Sequence, residues 1–276
     1  MSTPAQATDI VFTRHGARRG IAWLTEAFAM FRRAKAAWIG LIALYYLLMF
    51  LANAVPLIGQ LALPLLKPIF AVGLLAAAWT QERGGKPAPS LLFHGFRANV
   101  RALIPLGIVM AVGGTLAVLG TQLFDGGLLM KMISGEVKST EEVEQSGALP
   151  LSLAALGLLL LPTTLALWFA PALVVFQDAR AGTAMAASLR AALANWRPLV
   201  TFGLAVIFAG IMLPLVLAQF LVMALPSQGT VLGVQMALLL YGFAFAATLH
   251  IADYLCYRDV FHAGETLAPL APGARH

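Results

Sequence analysis

Six long apolar runs, separated by short polar segments, dominate the chain. They cover about 36–55, 57–80, 102–124, 149–176, 198–224 and 231–257. A helix needs roughly 20 mainly apolar residues to cross the hydrocarbon core of a bilayer. Strands of a membrane barrel would alternate apolar and polar residues, whereas these runs are continuous. The pattern therefore predicts an all-α, polytopic membrane protein with six transmembrane helices, here numbered as spans one to six.

Composition supports a membrane protein. The 276 residues are 60% hydrophobic and only 11% charged, whereas soluble domains carry about 25% charged residues. The lone cysteine, Cys256, excludes an internal disulfide and a cysteine-only metal site, and nothing in the sequence calls for a cofactor. The net charge of +6 is typical of cytoplasmic loops that face anionic phospholipids, so we expect a membrane partner and no nucleic acid.

The distribution of basic residues predicts the orientation. With six spans, one side collects nearly all of the lysines and arginines, including Arg14, Arg18, Arg19, Arg32, Arg33, Lys35, Arg83, Lys86, Arg97, Arg101, Arg180, Arg190, Arg197, Arg258 and Arg275. The other side has only Lys131 and Lys138, which its acidic residues outweigh. Because basic loops stay in the cytoplasm, we expect a single transmembrane domain over 1–276 with both termini cytoplasmic. Its tails are about 1–19 and 258–276, and its one sizeable external loop is about 125–148.

An internal repeat is visible at an offset of 96 residues. It places Thr80–Gly107 over Phe176–Gly203 and matches scarce residues: Gln81 with Gln177, Glu82 with Asp178, Asn99 with Asn195, and Arg101 with Arg197. A weaker third copy lies near the start of the chain. We interpret the chain as three repeats, each an amphipathic helix followed by a helical hairpin.

Three segments mix apolar and basic residues at helical spacing: Gly20–Ala36, Ala88–Arg101 and Gly182–Arg197. Such helices can lie in the membrane interface, or they can be cytoplasmic extensions of the span that follows. Four of their arginines, Arg97, Arg101, Arg190 and Arg197, are candidate ligands for lipid phosphate. The alternative is that the polar residues here only cap helix ends.

Lys67 is the most unusual residue of the spans. It lies inside span two between Pro64 and Pro68, and a charge inside a membrane span is a functional candidate by default. The prolines are expected to break the helix, as in transporters that bind substrate at broken helices. Lys67 then either binds an anion or extends its side chain to a water-lined vestibule. Pro162, followed by two threonines, lies at similar depth in span four.

A polar group in span six is a weaker candidate. His250, Asp253 and Tyr254 lie on one helical face near the predicted cytoplasmic end. A proton relay or a metal site would need such groups, but two metal ligands are too few. We interpret the group as a structural hydrogen-bonded cluster and expect no metal site.

The stretch "FAPALVVFQDARAGTAMAASLRAALANWRPL" resembles an uncharacterised six-span inner-membrane family of proteobacteria, and "FRRAKAAWIGL" and "VPLIGQLALPLLKPIF" fit the same family. The membrane domain of some glycerophosphodiester phosphodiesterases is similar more distantly, which hints at phospholipid handling. The resemblance implies an inner-membrane location and a periplasmic external loop. The family's most distinctive motif falls on Pro171, Asp178, Ser188, Asn195, Trp196, Arg197 and Pro198, and the resemblance gives these residues no chemical role.

Three functions stay open from the sequence. The leading hypothesis is a non-enzymatic protein that binds lipid or a membrane partner through its basic cytoplasmic face, since the chain has no recognisable catalytic motif. The second is a transporter of a small solute or lipid. The third is a structural subunit of a membrane complex, which would involve another membrane protein or self-association.

Overall fold

The fold is all-helical in the computed structural model, which describes residues 10–55, 58–136, 143 and 147–263. Its helices are α1 (Arg18–Arg33), α2 (Lys35–Asn53), α3 (Ile58–Glu82), α4 (Val100–Asp125), α5 (Leu128–Ser134), α6 (Leu149–Trp168), α7 (Ala170–Gln177), α8 (Ala181–Ala194), α9 (Trp196–Ile207), α10 (Leu213–Ala224) and α11 (Gln228–Phe261). A 3₁₀ helix covers Pro89–Phe96, and a π turn at Phe208–Met212 joins α9 to α10.

The six predicted spans are confirmed as helices long and apolar enough to cross a membrane. Spans one, two and three are α2, α3 and α4. Span four combines α6 and α7, span five combines α9 and α10, and span six is α11. The predicted boundaries are correct to within a few residues, because a bilayer forces each span to satisfy its backbone hydrogen bonds within itself.

The external loop is only partly irregular. Asp125 ends α4, and its carboxylate accepts hydrogen bonds from Gly127 N at 2.8 Å and Leu129 N at 3.2 Å. These bonds satisfy two free amides at the start of α5, a helix that the sequence analysis missed. The parts of the predicted loop at 137–142 and 144–146, and the ends of both predicted tails at 1–9 and 264–276, lie outside the described residues.

We expected Pro64 and Pro68 to break span two, but the helix is continuous there. Helix α3 runs without interruption through Pro64 and Pro68, and α6 runs through Pro162. The prediction of a broken helix at Lys67 is therefore wrong, because a transmembrane helix tolerates proline when neighbouring groups adjust to the lost hydrogen bond. The interruption of span four lies instead at Phe169, two residues before Pro171.

The buried core lies at the end of the bundle that carries most of the basic residues. Trp23, Trp38, Tyr254 and Tyr257 are all 0% exposed there. At the other end, spans five and six are apolar and largely exposed, including Phe220, Met223 and Leu232. The bundle is therefore packed mainly through one half, and the other half presents apolar surface of the kind that acyl chains cover.

Two of the three amphipathic segments form α-helices, and the third does not. Helix α1 packs on spans five and six, with Gly20 against the carbonyl of Pro198, and α8 packs on span four. The segment expected over Ala88–Arg101 is a 3₁₀ helix that ends at Phe96, after which Asn99 caps α4 by accepting from Ala102 N. The outward faces still carry exposed apolar side chains, among them Phe28, Phe93, Phe96 and Leu193.

The segment after span two and the segment after span four each cross the preceding helix closely. Leu92 lies against Gly73, where an added Cβ would be 2.3 Å from the Leu92 carbonyl oxygen. Ser188 lies against Phe169, with 2.9 Å between the Ser188 hydroxyl and the Phe169 amide. The two crossings are related by the same offset of 96 residues as the sequence repeat. The three-hairpin repeat as a whole stays a prediction.

Candidate functional site

The interruption of span four is built around Ser188. Its hydroxyl accepts from Phe169 N at 2.9 Å and donates to Leu165 O at 2.8 Å. In an unbroken helix Phe169 N would bond directly to Leu165 O, so the hydroxyl is inserted into that one hydrogen bond. Because Pro171 has no N–H, the helix bond that would reach Leu167 O, two residues further on, is missing as well. Helix α6 therefore ends here, and α7 begins in a new direction.

A cavity of about 310 Å³ lies beside this interruption, between spans two, three, four and six. Its polar lining comes from Thr163 and Thr164 on span four and from His250 and Asp253 on span six. An adjoining recess of about 240 Å³ is lined by Tyr45 and Lys67. Leu74, Met110, Trp168, Pro171 and His250 line both spaces.

Lys67 is exposed toward this recess. Within the described ranges, no carboxylate oxygen lies within 4.0 Å of its ammonium and no hydrogen bond satisfies it. Asp253 lines the adjoining cavity, but it forms no ion pair with Lys67.

The cluster expected in span six is divided by the structure. His250 Nδ1 lies 3.5 Å from Asp253 Oδ2, and both residues face the cavity. Tyr254 is buried, and its hydroxyl donates instead to Glu82 at the end of span two. Asp253 contacts His250, whereas Tyr254 contacts Glu82, so the three residues do not form one cluster. No set of three potential metal ligands occurs in the described part of the chain.

Charged groups join the basic ends of spans two and six to α1. Glu82 accepts from Tyr254 and forms an ion pair with Arg258. Asp259 pairs with Arg258 at 2.9 Å and with Arg19 at 2.5 Å, and it accepts from Trp23 Nε1 at 3.0 Å. Each carboxylate has basic or hydroxyl donors around it, so this network has a structural explanation that requires no ligand.

Asn195 holds the segment that precedes α1. Its side-chain oxygen accepts from His15 N at 2.8 Å, and its amide nitrogen donates to Thr13 O and Ala191 O, each at 3.0 Å. Thr13 N also donates to Val260 O at 2.7 Å. Asn195 is 0% exposed, so its polar atoms are satisfied inside the protein and this motif residue is structural.

The other candidate motif residues also shape the corners of the fold. Asp178 adopts a left-handed conformation with φ of 49° at the end of α7 and accepts from Asn99 at 3.1 Å. Pro198 is buried where α9 crosses α1. Trp196 is 57% exposed, and the guanidinium of Arg197 lies 5.5 Å from its ring centroid. An exposed Trp–Arg pair at the end of a span is typical of an interface anchor.

The four candidate arginines, Arg97, Arg101, Arg190 and Arg197, are all exposed at the basic end. They lie on different elements: after the 3₁₀ helix, in α4, in α8 and in α9. Two further aromatic–arginine pairs accompany them, Phe28 with Arg32 at 5.7 Å and Trp79 with Arg83 at 4.5 Å. The structure therefore distributes these groups around the rim of the bundle, and their binding of lipid phosphate stays a prediction.

Sequence reasoning missed Tyr45 and Trp168 as cavity residues. Tyr45 lies edge-on to His250, with ring centroids 5.9 Å apart, and Trp168 lines both spaces beside the interruption of span four. Neither has a local sequence signal, since aromatic residues are common in spans. The similar depth of Lys67 and the Pro162–Thr164 stretch was the one signal that indicated a shared cavity.

Comparison with known proteins identifies a relative over nearly the full chain. A probable inner membrane protein of Burkholderia thailandensis is 30% identical over 264 residues, which cover 93% of this chain and 96% of that protein. No family model matches the chain, and no solved structure matches it. These comparisons do not support the distant resemblance to phosphodiesterase membrane domains, which stays a prediction.

Proposed function

The chain belongs to the family of this Burkholderia thailandensis inner membrane protein, and on that premise we propose that it is a non-enzymatic membrane protein that binds phospholipid. We place the lipid phosphate beside Lys67, in the cavity between spans two, four and six. The observation that carries the proposal is the Lys67 ammonium, which faces an intramembrane cavity with no carboxylate partner in the described chain.

Energetics favours an anion at this position. A lysine near the centre of a span costs about 3 kcal/mol on insertion scales. A phosphate that enters the cavity would accept hydrogen bonds from the ammonium, and charge-assisted bonds of this kind are among the strong ones in proteins. The Thr163 and Thr164 hydroxyls, on the wall of the adjoining cavity, could donate to further phosphate oxygens.

The surroundings suit the rest of a lipid molecule. Leu74, Met110 and Leu160 supply apolar walls, and the exposed halves of the spans supply apolar surface for acyl chains. At the basic end, Trp196 with Arg197 and Trp79 with Arg83 are placed to anchor the bundle at the headgroup level. These features support lipid binding and also fit the candidate role of the arginine rim.

Transport of the same ligand is a second candidate. The interruption of span four at Phe169 favours it, since transporters bind substrates where a transmembrane helix is discontinuous. Reconstitution in vesicles with labelled phospholipid tests this candidate. Movement of lipid between leaflets that depends on Lys67 supports transport, and bound lipid without movement supports binding alone.

The binding proposal is tested with Lys67→Met and Lys67→Arg. The methionine variant should fold with equal or greater thermal stability, because it removes a charge from an apolar region, and should lose its co-purified phospholipid. The arginine variant should keep the lipid, since it keeps the charge. Native mass spectrometry after purification in mild detergent measures both. Lys86→Met, at an exposed position outside the spans, is the matched control and should keep its lipid.

A Lys67→Met variant with the lipid content of the wild type would contradict the proposal. In that case the lysine only extends toward water, and the cavity is a feature of packing.

A further inference from the structure

The cavity carries opposite charges on its two sides, and these charges do not meet. Lys67 lines the recess next to span one, and Asp253 lines the larger space next to span four. His250 lines both spaces, as do Leu74 and Trp168, so the two spaces adjoin along these shared walls. No Lys67 nitrogen lies within 4.0 Å of an Asp253 oxygen. A ligand that bears both signs and occupies these adjoining spaces would therefore meet both charges.

Asp253 is available to such a ligand. Its side chain is 47% exposed, and its one ion-pair contact among the described residues is with His250, at 3.5 Å. By contrast, two other carboxylates of this end are held by several partners: Glu82 by Tyr254 and Arg258, and Asp259 by two arginines. A carboxylate facing a low-dielectric cavity attracts a cationic donor more strongly than one in water does.

From this arrangement we propose that the ligand is a zwitterionic glycerophospholipid with a primary ammonium in its headgroup, as in phosphoethanolamine lipids. Its phosphate lies beside Lys67, and its ammonium donates to Asp253. This inference rests on the proposed function and adds the headgroup class. An anionic lipid such as phosphatidylglycerol would satisfy Lys67 and leave Asp253 without a cation, so the site should discriminate against it.

Competition between lipids tests the inference. The wild-type protein is reconstituted in nanodiscs that contain equal amounts of phosphatidylethanolamine and phosphatidylglycerol, then transferred to detergent, and the retained lipid is identified by native mass spectrometry. We expect a preference for phosphatidylethanolamine of roughly tenfold, the effect of one charge-assisted hydrogen bond. Asp253→Asn should reduce this ratio to about one, since the side-chain amide of asparagine carries no charge and is a weaker hydrogen-bond acceptor for the lipid ammonium. Glu136→Gln, an exposed carboxylate at the far end of the bundle, should leave the ratio unchanged.

A second arm keeps the wild-type protein and changes the lipid. Acetylation of the amine of phosphatidylethanolamine removes the ammonium, so the preference should disappear without any risk to folding.

Three results would overturn the inference: equal retention of the two lipids by the wild type, an undiminished preference for phosphatidylethanolamine in Asp253→Asn, or a preference that survives acetylation of the lipid amine. If lipid is retained through Lys67 without headgroup preference, the proposed function stands and this inference fails. If the wild type retains no lipid of either kind, both fail.

Discussion

At the scale of single residues, the distinctive motif contains side chains that hydrogen-bond to the backbone of a segment distant in sequence. These bonds explain the motif. The hydroxyl of Ser188 bridges Phe169 N and Leu165 O, which would be hydrogen-bonded to each other if span four were continuous. The amide of Asn195 holds the backbone of Thr13 and His15. Buried polar groups cost free energy unless they are paired, so each of these residues is fixed by partners that are distant in sequence.

Ser188→Ala should destabilise the protein by about 2 kcal/mol. The substitution leaves Phe169 N and Leu165 O without a partner where little water reaches them, and an unsatisfied buried group costs about 1–3 kcal/mol. Thermal unfolding in detergent measures the effect. Ser134→Ala, on an exposed position of α5, is the control and should change stability little. Equal unfolding temperatures for the two variants would show that Phe169 and Leu165 find other partners.

Asn195→Ala should release the segment before α1 while the spans stay folded. His15 N and Thr13 O lose their partner, so local opening of this segment becomes easier. If the free energy of local opening falls by about 1.4 kcal/mol, trypsin cleavage after Arg14 should become roughly tenfold faster. Asn99→Ala is the control at the matching repeat position. It removes the cap of α4 and should leave cleavage after Arg14 at the wild-type rate. Faster cleavage in both variants would contradict a specific role for Asn195.

At the scale of elements, close helix crossings require glycine. Gly73 lets the 3₁₀ helix approach span two, and Gly20 lets α1 approach α9 at Pro198. Small residues allow backbones in membrane proteins to pack tightly, and packing of this kind is a main source of helix association in lipid. The segments that the sequence analysis expected in the interface therefore contact the spans through backbone as well as side chains.

Gly73→Ala should destabilise the protein by about 1–3 kcal/mol, the usual effect of overpacking, because the new Cβ would lie 2.3 Å from the Leu92 carbonyl oxygen. Gly40→Ala, in span one, is the matched control. An added Cβ there meets no atom within 4 Å, so the change should be neutral or stabilising, by roughly 0.5–1 kcal/mol from helix propensity. Thermal unfolding that ranks the two variants in the opposite order would contradict the close crossing.

At the scale of the whole molecule, the asymmetry of charge predicts the orientation. The basic ends of the spans carry the arginines and the packed core, and the opposite ends carry apolar surface and the acidic loop. Cytoplasmic loops are enriched in lysine and arginine, so we expect the core to lie on the cytoplasmic side.

Cysteine labelling tests this orientation in whole cells. Gly85→Cys and Gly182→Cys should react with a membrane-impermeant reagent only after the inner membrane is opened. Glu136→Cys should react once the reagent reaches the periplasm. Cys256 is buried, so background labelling should be low. Glu142 and Gly273, further positions for the same test in the loop and the C-terminal tail, lie outside the described residues. Reaction of Gly182→Cys with the inner membrane intact would show that the predicted topology is wrong.

The sequence by itself determined the number of spans, their boundaries and the helical class. These properties are local, since each span must be apolar and must satisfy its own backbone within a bilayer. The sequence also identified Lys67, Asp178 and Asn195 as unusual, because polar residues are scarce in this chain.

Only the tertiary structure decided what these residues contact. It brought Lys67, Asp253 and Trp168, from three spans, to adjoining cavities, placed an interruption of span four at Phe169, and separated Tyr254 from His250. The reason is physical. A proline does not break a helix alone, and at Phe169 the interruption also depends on a hydroxyl from α8, which lies 19 residues away. Contacts between spans depend on how whole helices cross, and the hydropathy profile of the sequence does not determine that crossing.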